Sequence, residues 1–258
     1  MPVHVDHQGG IVTITIDRPE VMNAVDYDTE QQLQRIWRDV EADQSVRVVV
    51  LTGAGERAFC TGADMKGGSG ARGVDYWAVP REGGFGGIAL RKTIDVPVIA
   101  RVNGHAVGGG FEMMLGCDLV IAADHASFGL PEARVGRLPL DGGMVLLQRQ
   151  IPYRQAMGLL LTGRRMQAQE AFDMGLINEV VPIVDLDKAV QRWIDGILAC
   201  APLSIKAIKQ VVQRTGQLSP YQAQAQRLPA LIDALNSEDS EEGVRAFIEK
   251  RKPIWKGR

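Results

Sequence analysis

Cysteine is scarce in this 258-residue sequence: there are three, Cys60, Cys117 and Cys200, widely separated. An odd, scattered set makes no CxxC pair, and without a His-x-x-x-His motif it offers no metal-ligand spacing. The expectation is a reduced, cytoplasmic protein that holds no metal. Long hydrophobic runs are missing too, and the opening MPVHVDHQGG lacks a basic-then-apolar pattern, so neither a membrane span nor an export signal is expected. Nor is there an excess charge of one sign. Lys+Arg (29) and Asp+Glu (31) leave a net charge of -2, which gives no overall attraction to nucleic acid or to an anionic membrane. What is present is ordinary for a globular protein, with 45% hydrophobic and 23% charged residues. The length is about 1.7 times a typical domain, enough for one large domain or a domain with an appended subdomain.

The hydrophobic pattern alternates between two periods. Val12, Ile14 and Ile16 interleave with Thr13 and Thr15, as in a half-buried strand, and Asp17-Arg18-Pro19 ends it. Leu33, Ile36, Trp37 and Val40 share one face of a helix that begins near Asp28. The unbroken run Val48-Val49-Val50-Leu51 reads as a strand buried on both faces. The cycle repeats with strands at 96–102 and 119–123 and a helix opening at Gly108, which argues for parallel strands joined by crossovers. Eight glycines between Met65 and Ile94 exclude a regular element there and predict a mobile covering loop. Beyond Pro182 the pattern is helical, over 186–200, 203–214, 220–235 and 241–250. The chain therefore divides softly into a core (1–182) and a helical region (183–258).

The most informative stretch runs from Val98 to Asp118. A buried strand leads into Gly108-Gly109-Gly110 and then an apolar helix, an arrangement that exposes backbone N–H groups at a helix start, where the dipole favours negative charge. Glu112 falls within the first turn of that helix, and Glu132 follows Pro131 twenty residues later. Two carboxylates beside an anion hole suit general acid–base chemistry on a developing oxyanion. Taken singly, each feature has a structural reading: tight strand–helix packing for the glycines, a helix-end charge for Glu112, a capping glutamate for Glu132. No G-x-S-x-G motif or Ser-His-Asp or Cys-His arrangement is evident, so Cys60 and Cys117 read as core residues.

These motifs in order resemble the enoyl-CoA hydratase/isomerase (crotonase) superfamily. The resemblance rests on Arg18-Pro19 with Asn23-Ala24, on Ala58 to Asp64, on Asn103 to Glu112 with Cys117-Asp118, and on Phe128 to Glu132. It continues through Leu161-Thr-Gly163, 168–176 and Glu179 to Pro182, and ends with Phe247 to Pro253. It implies an α/β fold, a crotonase-like spiral of repeated ββα units, with a C-terminal helical trimerisation region giving a homotrimer or a dimer of trimers. It also implies an acyl-CoA substrate and no separate cofactor, coenzyme A being part of the substrate. The N–H groups of Ala63 and Gly109 would hold the thioester oxygen. Glu112 would orient and deprotonate water attacking C3, and Glu132 would protonate C2, a pairing that favours a hydratase over an isomerase. Coenzyme A would lie against Asn23, Ala24, Val25, Thr61, Ala63, Asp64 and Lys66, with Lys250 a further phosphate contact.

Two departures bear on the acyl group. Where many relatives read Pro-Gly-x-Gly-Gly, this chain reads Pro139-Leu140-Asp141-Gly142-Gly143, which places Leu140 and a further carboxylate, Asp141, in the expected acyl pocket. The glycine-rich segment adds Tyr76, Trp77 and Phe85 as candidate walls of that pocket. Arg134 and Arg137 flank the same region, and either is a candidate to recognise a carboxylated acyl group. Other acyl-CoA reactions through the same enolate (isomerisation, dehydration or carbon–carbon cleavage) remain the alternative to hydration. A non-catalytic RNA-binding role is disfavoured, because basic and aromatic residues are not interleaved.

Overall fold

The computed structural model describes residues 1–66 and 73–258. In chain order its elements begin with β1 (Val3–Gln8), β2 (Ile11–Ile16), α1 (Tyr27–Ala42), β3 (Val48–Gly53), β4 (Ala58–Cys60) and α2 (Val74–Ala78). Next come β5 (Val98–Val102), β6 (His105–Val107), α3 (Gly109–Leu115), β7 (Leu119–Ala123), β8 (Ser127–Gly129) and α4 (Gly143–Gln150). They are followed by α5 (Tyr153–Thr162), β9 (Arg165–Gln167), α6 (Ala168–Asp173) and β10 (Glu179–Val181). The remainder is helical: α7 (Leu186–Leu198), α8 (Pro202–Thr215), α9 (Pro220–Gln224), α10 (Pro229–Leu235) and α11 (Glu238–Ile248).

Two sheets result. The larger runs β1-β2-β3-β5-β7-β10, parallel except for the β1–β2 hairpin, and the smaller runs β4-β6-β8-β9, parallel except for β9. Each pair β3/β4, β5/β6 and β7/β8 contributes one strand to each sheet before the chain turns away, so the repeated ββα expectation holds. The alternation in β2 buries Val12, Ile14 and Ile16, and β3 is buried along its whole length, as the sequence requires. One face of the larger sheet packs on the main core around Trp37, Phe59, Phe111 and Phe128. The other face, through Val48, Val50, Ile99 and Ile121, receives Leu186, Ala189, Val190 and Ile194 of α7. The first helix of the 183–258 region is thus part of the sheet's packing, which is why no flexible linker marks the division.

Three expectations change. Gly67, Gly68 and Gly70 lie outside the described residues, but the glycine-rich segment does contain a regular element, α2, and its later part is packed rather than loose: Phe85, Gly86, Gly87, Ile88 and Ala89 are buried. The Trp37 indole N–H donates to the Gly86 carbonyl at 2.8 Å, and a Cβ on Gly87 would come within 2.7 Å of the Trp37 ring. Glycine there permits close packing against α1. The helix expected over 220–235 is broken into α9 and α10, because Pro229 has no N–H to continue the ladder and instead starts a new helix. The final helix begins at Glu238, three residues before the predicted start, where the Ser237 hydroxyl caps the Ser240 N–H.

Candidate active site

Strand β6 delivers the chain to Gly108, whose φ of 59° and ψ of −130° favour glycine, and α3 starts at the next residue. Each of the three glycines answers a neighbour. A Cβ at Gly108 would lie 3.1 Å from Glu132 Oε1, one at Gly109 2.6 Å from the Phe85 ring, and one at Gly110 2.0 Å from the Cys60 carbonyl oxygen. These approaches fit the strand-packing reading of the glycines. As the first residue of a helix, Gly109 has an N–H with no intrahelical acceptor.

The partner N–H comes from the loop after β4. Val25 N–H donates to the Gly62 carbonyl and Asp64 N–H donates to the Val25 carbonyl, which clamps the Ala63 peptide from both sides. Gly62, at φ 90°, brings its backbone against Gly109: a Cβ there would be 2.9 Å from the Gly109 nitrogen. Ala63 is exposed, and neither its N–H nor that of Gly109 donates to another atom among the described residues. Two undirected donors on adjoining loops are the elements of an oxyanion hole.

Glu112 is buried, at 3% relative exposure, on the first turn of α3. Its Oε1 accepts the N–H groups of Asp141 and Gly143, each at 2.8 Å. Burial, reinforced by the nearby charges of Asp141 and Glu132, outweighs those bonds and pushes its pKa up to about 8. Glu132 sits in a 3-10 turn, Pro131–Val135, that follows β8. Its Oε2 is buried with no hydrogen-bond partner among the described residues, and burial raises this carboxyl too. The structure thus brings together Glu112, Glu132 and the Gly109 N–H. Cys60 is buried, and burial pushes its thiol up to about 12, which disfavours a reactive thiolate there.

Asp141 is also buried, but its carboxylate does not point into open space. Arg81 Nη2 pairs with both its oxygens at 2.8 and 2.9 Å, and the Tyr76 hydroxyl donates to Oδ2 at 2.7 Å. The Arg81 guanidinium also stacks 3.5 Å over the Tyr76 ring. As a bare acyl-pocket wall, Asp141 is therefore corrected to one member of a closed ion-pair cluster. Sequence reasoning missed Arg81, although a carboxylate at a buried position carries the signal that a cation must be near. Phe85 is likewise corrected: it lies in the core beneath Gly109. Trp77 is 68% exposed on α2, and Leu140 is half-buried beside Asp141. Arg134 donates to the Thr162 carbonyl at 2.7 Å, and Arg137 stands 3.2 Å from the Met65 sulfur, exposed.

The residues assigned to coenzyme A divide in two. The Asn23 side chain is buried and engaged, donating to the Ala54 and Ala58 carbonyls and accepting from the Arg18 N–H. Thr61 donates its hydroxyl to the Met22 carbonyl, and Asp64 pairs with Arg18 at 3.0 Å. Arg18 also donates to the Ala24 carbonyl and pairs with Asp26. The side chains of Asn23, Thr61 and Asp64 thus hold the backbone around Ala63 in place. Lys66 remains exposed next to that loop. Lys250 is exposed in the turn after α11, and no hydrogen bond or ion pair joins it to the loop among the described residues.

The chain is similar to known proteins along nearly its whole length. The enoyl-CoA hydratase/isomerase family model matches residues 6–258. A carnitinyl-CoA dehydratase of Proteus mirabilis is 39% identical over 260 residues, covering 99% of this chain and 98% of that protein. The protein of that name from Escherichia coli K12 is 38% identical over the same span. Among solved structures, an enoyl-CoA hydratase from Bacillus anthracis superposes with a TM-score of 0.92 at 33% identity over all of both chains. One from Mycobacterium tuberculosis H37Rv gives 0.90 at 35% identity, covering 100% of this chain and 99% of that one. Fold, full-length identity and the family match agree, and the chain belongs to the enoyl-CoA hydratase/isomerase family.

Proposed function

We propose that this chain is a hydro-lyase that reversibly adds and removes water across the C2–C3 bond of a coenzyme A thioester. It is an enzyme of the crotonase superfamily, and the names of its relatives support chemistry of the hydratase or dehydratase type. What supports the reading is a pair of carboxyls raised by burial, Glu112 on the first turn of α3 and half-buried Glu132 beside Gly108 at the start of that helix. Moving a proton and a hydroxyl on one substrate needs one protonated and one ionised group, whichever way the reaction runs.

With the thioester oxygen held by the Ala63 and Gly109 N–H groups, charge developing at C2 passes onto that oxygen as an enolate. In dehydration, ionised Glu132 removes the C2 proton while protonated Glu112 donates to the departing C3 hydroxyl. Hydration reverses each step: ionised Glu112 deprotonates water attacking C3 and Glu132 protonates C2. Burial pushes the Glu112 pKa up to about 8, so this carboxyl can hold a proton near neutral pH, as the donor to a departing hydroxyl must.

The Arg81 guanidinium near Glu112 is already engaged by Asp141, and Glu30 lies in the field of both. With Arg81 taken up by Asp141, the acyl group proposed for this site is a neutral or cationic one, such as the carnitinyl group in the name of the dehydratase relatives. Following enone absorbance tests this. Carnitinyl-CoA should gain absorbance and crotonyl-CoA lose it, and a dicarboxylic enoyl-CoA should react at least about tenfold more slowly. Double-bond migration or carbon–carbon cleavage without water exchange would sink the hydro-lyase reading.

Self-association belongs to the same proposal. The C-terminal helices leave Phe247, Ile248, Leu235 and Tyr221 exposed at 85, 72, 76 and 86%, an apolar display that isolated chains seldom keep in water. Light scattering should give three or six times the 28.1 kDa chain mass, and a monomer would overturn this part.

A further inference from the structure

We propose that Arg81 and Asp141 are positioning residues, an ion pair that holds the 139–143 loop on the segment after α2 and so sets the Asp141 N–H on Glu112. This rests on the hydro-lyase reading, in which Glu112 is a catalytic residue.

The geometry is a chain of short contacts. Arg81 Nη2 lies 2.8 Å from Asp141 Oδ1, the Asp141 N–H lies 2.8 Å from Glu112 Oε1, and the Gly143 N–H two residues on makes the second 2.8 Å bond. The Tyr76 hydroxyl at 2.7 Å from Asp141 Oδ2 and its ring beneath the guanidinium hold the pair from the other side. Asp141 is 6% exposed, so its charge is poorly screened by water and needs this partner. With Oε1 fixed by two N–H groups, Glu112 Oε2 takes no hydrogen bond among the described residues and is the oxygen left to meet a substrate hydroxyl or water.

The pair also adjusts charge. The groups that act on Glu112 are Asp141 before α4, Glu132 in the turn after β8, and the two backbone N–H groups. Arg81 and Tyr76 reach it through Asp141, and Glu30 of α1 lies in the field of both Asp141 and Arg81. Asp141 disfavours the Glu112 anion and Arg81 offsets Asp141, so the two substitutions act with opposite signs.

The test uses the full chain labelled with carboxyl-13C glutamate, Glu112 being assigned by the signal lost in Glu112→Gln. In the ligand-free protein, Arg81→Gln should raise the Glu112 midpoint and Asp141→Asn should lower it, each by about one pH unit. Arg81→Lys, which keeps the charge, should restore the midpoint. In turnover, Arg81→Gln and Asp141→Asn should lower kcat about tenfold and leave KM for the thioester within about twofold, as expected when the acid is misaligned after binding. Shifts of the same sign in both variants would reduce the pair to a purely structural brace. Unmoved midpoints with intact kcat would overturn the proposal. Because the titration needs no substrate, a wild-type protein without hydro-lyase activity would sink the functional reading while the coupling is still measured. Asp141→Asn is nearly isosteric, and circular dichroism identifies a variant that has not folded.

Discussion

Replacing Glu132 with glutamine is expected to lower kcat by about 10²- to 10⁴-fold, the range for removing a positioned acid or base. The argument is geometric. Glu132 reaches the reacting region because Gly108 lacks a Cβ, which would otherwise stand 3.1 Å from its Oε1. Its Oε2 is buried without a partner among the described residues, an arrangement that disfavours the free enzyme and that a substrate proton at C2 relieves. Glutamine keeps the shape but neither accepts nor returns a proton at C2. In the proposed mechanism the backbone at Ala63 and Gly109 holds the thioester, so KM should change little, and the loss should fall on kcat. Rates at saturating thioester, compared between wild type and variant, check this. A kcat within about threefold of wild type would remove Glu132 from the mechanism.

How far the sequence exposes this site follows from which interactions are local. The strands β2, β3, β5 and β7 are legible because their partners bury one or both faces, leaving alternating or continuous apolar runs. The strands β4, β6, β8 and β9 have three residues each, too few for either period, and only their mutual pairing makes them strands. β1 is missed for another reason: of its six residues only Val3 is buried, so its place is set by pairing with β2. The same division holds at the site. Glu112 and Gly109 lie three residues apart on one turn, and Pro131 marks the turn that carries Glu132. Arg81 lies sixty residues from Asp141, in a segment without periodicity, and only the fold brings the two together. The Arg18 clamp on Asp64 is equally non-local, so the way the side chains of Asn23, Thr61 and Asp64 hold the loop is not legible in the sequence.

Glu112→Gln should separate stability from activity in opposite directions. In the folded protein this carboxyl has a pKa of about 8, above the 4.5 of an unperturbed glutamate. The folded state therefore binds the proton more tightly than the unfolded chain. Glu112 contributes its full stability below about pH 4.5, and that contribution is lost as pH rises toward 8, at up to about 1.4 kcal/mol per pH unit. Glutamine does not titrate, and its carbonyl oxygen still accepts the Asp141 and Gly143 N–H groups. The variant should match wild type in acid and become more stable than it by at least about 1 kcal/mol at pH 8, read from urea midpoints across the pH range. Its activity should go the other way, falling about 10²-fold or more, because the C3 hydroxyl then has no proton donor in dehydration and water has no base in hydration. The pH profile supplies a second sign. Turnover needs the carboxyl pair to share one proton, so wild-type kcat/KM should decline above about pH 8 as the last proton leaves. In Glu112→Gln the residual rate of dehydration, which needs Glu132 ionised, should show no such decline. A variant that loses activity without gaining stability at high pH would mean that the Glu112 anion is well accommodated in the fold, and the assignment of Glu112 as the proton donor to the leaving hydroxyl would fall with it.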